Sequence, residues 1–114
     1  MILLRPRFED ICKHYGLAIE ELYSDHIKAT IDGLTVATWE LERDYVKHKI
    51  YVRTINNFFI SKNYNNEYKI YSNCSKMILC DTTNQLEENI INLLEKYKIL
   101  NIKVRKRNLD KDFY

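Results

Sequence analysis

The sequence predicts an α+β domain: an antiparallel sheet of four to six strands packed against two amphipathic helices, one N-terminal and one near the C-terminus. Three observations predict it. Leu86, Ile90, Leu93, Leu94 and Tyr97 recur at steps of three and four, the stripe of a 3.6-residue helix. Asp32-Gly33 is a hairpin dipeptide between two apolar runs, HIKATI and LTVATWEL. The segment YVKHKIYVR alternates strictly, as a strand with two different faces does. Strand-rich sequence between two helices, joined by short turns, argues for α+β.

Taken in order, Pro6 suits a first helical turn, where its missing amide costs nothing. Phe8, Ile11, Cys12, Tyr15, Ile19, Leu22 and Tyr23 keep helical spacing, predicting helix to about residue 24. Gly16 either sits inside that helix, at about 1 kcal/mol, or ends a shorter one. The phrase CKHYGLAIEEL resembles the opening of a helix-turn-helix, but a strand and a turn follow where the recognition helix should be.

A two-residue turn at Asp32-Gly33 predicts Ile31 facing Leu34, Ala29 facing Val36 and Ile27 facing Thr38. Thr35, Ala37, Trp39 and Leu41 then fall on the opposite face. In the next strand Val46, His48, Ile50 and Val52 share one face; Tyr45, Lys47, Lys49, Tyr51 and Arg53 share the other. Ile55 to Lys62 is expected to meet Glu67 to Ser72 across NYNN. Lys76 to Cys80 reads as a short strand. Thr82 and Gln85 have the spacing of a capping box at the start of the second helix. Leu100 to Arg107 alternates again and reads as a final edge strand blunted by lysine and arginine, with LDKDFY as a tail.

The 114 residues form one domain, large enough to bury roughly 60 to 70% of its unfolded surface. A net charge of +2 argues against both a bulk polyanion binder and a strongly acidic chain. Two glycines, Gly16 and Gly33, cannot build a phosphate-cradling loop. The three cysteines have no C-x-x-C spacing and read as free thiols in a reducing compartment. MILLRPRFED is too quickly charged for a signal peptide, and no run reaches the roughly 18 apolar residues of a membrane span. The expectation is a cytoplasmic protein of a cell or infected host.

No catalytic, cofactor or metal site is expected. His14, His26 and His48 fall in different elements, and Cys12 and His14, two apart on a helix, point to different sides. Glu40 and Glu42 share a strand face, as alternation alone would place them; a hydrolase using them is the weakest reading. Two features invite partners. Tyr45, Lys47, Lys49, Tyr51 and Arg53 set rings and cations side by side, as sheet surfaces that hold single-stranded nucleic acid do, and their exposed tyrosines and charges equally suit a protein partner. Lys103, Arg105, Lys106 and Arg107 form a local basic cluster suited to phosphate. The first expectation is a small non-enzymatic protein-binding module, an inhibitor of a host macromolecule of the kind phages and mobile elements carry. The alternative is a nucleic-acid-binding domain that uses the strand face and the C-terminal cluster.

Overall fold

Pro6 does stand in the first turn of a helix, α1, Arg5–His14. Gly16 ends it. At φ +79 it supplies the left-handed turn; its N–H donates to Lys13 O and that of Leu17 to Cys12 O, both at 3.0 Å, which closes a Schellman cap. The expected continuation to residue 24 is therefore corrected. Ala18–Tyr23 is a strand, β1, whose Leu22 and Tyr23 are exposed rather than on a helical core stripe. The computed structural model describes residues 3–43 and 46–112.

The remaining elements are β2 His26–Ile31, β3 Leu34–Arg43, β4 His48–Thr54, β5 Asn57–Lys62, β6 Tyr68–Asn73, β7 Ile78–Leu79 and the helix α2, Thr83–Asp112. The architecture is α+β, with every strand pair antiparallel. Five strands form one sheet in the order β1-β2-β3-β4-β7, and β5-β6 is a separate two-stranded sheet.

Asp32 and Gly33 both have positive φ, 48 and 80, as the tight hairpin turn between β2 and β3 requires. Ile31 faces Leu34 as expected. Beyond that the register shifts by one. A bulge between Ala29 and Thr30 puts Ala29 opposite Ala37 and Ile27 opposite Trp39. The extra residue is Val36, fully buried like Ala37. The bulge lets both apolar residues enter the core and turns Ala37 and Trp39 to the same face as Ile27 and Ala29.

Trp39 is buried and its indole Nε1–H donates to Leu3 O at 2.9 Å, tying the chain before α1 to the sheet. Phe8, Ile11 and Cys12 bring α1 into the same core. The capping box forms: Thr82 Oγ1 accepts from Gln85 N–H at 3.2 Å, and Gln85 Oε1 accepts from Thr82 N–H at 3.3 Å. Behind it Leu86, Ile90 and Leu93 are buried, as their spacing predicts. Truncating Leu93 to Ala should cost about 2 to 5 kcal/mol in urea unfolding. An unmoved midpoint would contradict its place in the core.

The final edge strand at Leu100 to Arg107 is absent; α2 runs through it. Leu93, Tyr97, Leu100, Val104 and Asn108 continue one inward stripe, whereas Ile102 is 69% exposed. No glycine, proline or cap interrupts the run. Asn108 fixes the far end, with its side chain accepting from Tyr68 N–H at 3.0 Å and donating to Tyr68 O at 3.1 Å. The Tyr97 hydroxyl donates to the Asp32 carboxylate at the β2–β3 turn. Desolvation, reinforced by Asp32, pushes that phenol up to about 12, which keeps its proton in place. A helix of 30 residues is about 45 Å long, so the molecule measures 61 × 26 × 21 Å.

Cys12, Cys74 and Cys80 are free thiols; Cys74 alone is exposed. Burial pushes Cys12 up to about 12 and also raises Cys80, so neither is a ready thiolate. Native protein should expose one rapidly reacting thiol to a disulfide reagent, and unfolded, unreduced protein three. One thiol after unfolding would reveal a disulfide. Among the described residues no helix is long and apolar enough to cross a membrane.

Candidate functional site

Of the five strand residues singled out, Lys49, Tyr51 and Arg53 lie in β4 and share its outer face. Lys47 precedes the strand, exposed. Tyr45 lies outside the described residues. On the inner side Val52 is buried and Ile50 half-buried, as alternation predicts, but Val46 is 85% exposed and outside the strand.

The sheet adds what the strand alone did not reveal. Pairing with β3 sets Glu42 opposite Lys49, Glu40 opposite Tyr51 and Thr38 opposite Arg53. The Arg53 guanidinium lies 4.7 Å from the Tyr51 ring centroid, and its Nη1 sits 3.5 Å from Glu40 Oε2. Further across, Lys28 Nζ is 3.6 Å from Glu20 Oε2. Three carboxylates, Glu20, Glu40 and Glu42, thus face three cations, Lys28, Lys49 and Arg53, on one sheet surface. Such half-exposed pairs are worth only about 0 to 1 kcal/mol each. The two ion pairs among them, Lys28–Glu20 and Arg53–Glu40, offset part of the positive charge around Tyr51, whose half-buried ring is held by the guanidinium.

The basic cluster is rearranged. On a helix Lys103, Lys106 and Arg107 are neighbours at steps of three and four, and Arg105 turns to another side. Arg105 acts instead on Tyr97, whose phenol it pulls down against the larger upward effects of burial and Asp32. The guanidinium of Arg107 lies 5.5 Å from the Tyr68 ring centroid, and Lys62 Nζ from β5 approaches the same ring at 5.2 Å. The far tip of the molecule is a tyrosine between two cations.

Glu40 and Glu42 do not converge on a shared ligand. Glu40 is taken by Arg53, and Glu42 stands opposite Lys49. Among the described residues no cluster of three His, Cys, Asp or Glu could hold a metal ion. No family model, curated protein or solved structure matches the chain.

Proposed function

We propose that this chain is a protein-binding module that uses the outer face of β4, centred on Tyr51 with Lys49 and Arg53, and that it acts by occupancy rather than catalysis. The observation that carries the reading is the charge balance around Tyr51. A surface for phosphate needs a net positive field. This one holds Lys28 and Arg53 in ion pairs, sets Glu42 opposite Lys49 in register, and leaves an aromatic ring at its middle, the composition of a polar protein interface with a tyrosine anchor. The finer reading, an inhibitor of a host macromolecule of the kind phages and mobile elements carry, draws on the small, tyrosine-rich build.

The test is affinity capture from the native host with the tagged chain as bait, beside a nuclease-treated control. A protein retained after nuclease and lost with Tyr51→Ala is expected. Recovery that vanishes with nuclease would sink the reading.

A second reading has its own observation: Lys62 and Arg107 flank Tyr68 at the tip, beside Lys103 and Lys106. That arrangement suits single-stranded nucleic acid, which pairs phosphate contact with stacking. Binding to a random oligonucleotide would then fall with salt by roughly 0.7 to 0.9 in log K per phosphate for each unit of log salt. Replacing Lys103, Arg105, Lys106 and Arg107 by Gln would flatten that slope. Salt-insensitive or absent oligonucleotide binding would remove this reading.

A further inference from the structure

β7 is two residues long and covers only the end of β4: Arg53 faces Leu79, and Thr54 faces Ile78. One more bond, Cys80 N–H to Val52 O at 2.7 Å, closes the contact. The chain then leaves the sheet through Asp81 into α2. Backbone groups of alternate residues in a strand point to the same side. Val52 points toward β7, so Ile50 and His48 do too, and among the described residues no strand lies beside them there. Each offers one N–H and one C=O along a row that β7 begins and does not finish.

Beside this open row is a groove of about 520 Å³. Its walls include Leu3, Leu41, Ile50, Val52, Leu79 and Cys80. Leu41, Ile50 and Val52 give the groove its inner-face wall, where alternate side chains of a strand hydrogen-bonded to Ile50 and His48 would point, and Lys49, Tyr51 and Leu79 carry it round the edge to the outer face. The alternate side chains of such a strand would emerge on the outer face near Lys47 and Lys49. Neither lysine is in an ion pair among the described residues, and Asp81 is the one carboxylate lining the groove.

We infer that the free edge of β4 is a strand-addition site that takes an extended peptide of a partner protein, alternating apolar residues into the groove and acidic residues toward Lys47 and Lys49. This rests on the protein-binding reading and names the form of the partner. Main-chain bonds to Ile50 and His48 supply affinity, and the groove and lysines supply selectivity. A second copy of this chain does not fit the same edge. Antiparallel self-pairing centred on Ile50 sets Lys47 against Arg53, and centred on Lys49 sets lysine against lysine; like charges directly opposite repel.

The probe is a labelled, end-blocked heptapeptide alternating glutamate and valine, followed by fluorescence anisotropy. Saturable binding at or below about 100 µM is expected. N-methylation of alternate peptide bonds on the pairing edge keeps every side chain and should weaken binding at least about tenfold, a loss of some 1.4 kcal/mol. A lysine–valine peptide should bind at least about tenfold more weakly, because its cations meet Lys47 and Lys49. Ile50→Pro removes one outward N–H, as edge strands tolerate, and should also weaken binding if its melting curve stays cooperative. Absence of saturation, or equal affinity of the methylated and unmethylated peptides, overturns the inference without touching the chain itself. Partner capture that survives Ile50→Pro and fails with Tyr51→Ala overturns it too, while the protein-binding reading stands.

Discussion

Replacing Phe58 by Ala should lower the unfolding free energy by about 3 to 5 kcal/mol, measured by urea denaturation. Phe58 is 2% exposed and meets the Tyr97 ring of α2 edge-on at 5.5 Å between centroids. Its position explains the size of the effect. The β5–β6 hairpin is not part of the five-stranded sheet, and two strands alone are marginal in water. The hairpin is held by Phe58, Ile60 and Ile70 on the core, and by Ser72 Oγ–H donating to Thr35 O at 2.7 Å. Losing the ring releases the hairpin and, through Tyr68 and Asn108, the distal part of α2. A loss under about 1 kcal/mol would mean the hairpin carries its own stability.

Trp39→Ala should cost a similar amount, about 3 to 5 kcal/mol, at the opposite end of the core. The indole is 5% exposed, and its hydrogen bond holds Leu3 against the sheet. Trp39→Phe separates the two contributions. It keeps an aromatic ring but leaves the Leu3 carbonyl without its partner, for about 1 to 3 kcal/mol if that group stays dry. Because Trp39 is the one tryptophan, unfolding of both variants is followed by circular dichroism. Equal losses for Ala and Phe would show that the hydrogen bond, rather than ring volume, dominates.

Features written within four or five residues were legible in the sequence. The capping box at Thr82 and Gln85, the turn at Asp32-Gly33 and the proline of α1 depend on local backbone chemistry, and each forms. Gly16 was legible as one of two outcomes; the Schellman cap decides for termination. Features set by distant partners were not. The bulge at Val36 exists because the core accepts two consecutive apolar residues, which no pattern within β3 states. β1 carries residues at helical spacing, yet its pairing with β2 decides its form. Leu100, Ile102 and Val104 alternate over too few residues to outweigh the stripe from Leu93 to Asn108, which was present in the sequence and longer.

The candidate site divides the same way. Alternation placed Lys49, Tyr51 and Arg53 on one face. The carboxylates that balance them come from β3 through cross-strand register, which is a property of the pair. That no strand among the described residues lies beside Ile50 depends on β7 being two residues long and on where α2 begins.

Hydrogen exchange on the chain, alone and in the complex captured from its host, tests the central claim most directly. The protein-binding account predicts slowed exchange on formation of the complex in the peptides covering 48–53, with 103–107 unchanged. Slowed exchange confined to 103–107, abolished by nuclease, would contradict it.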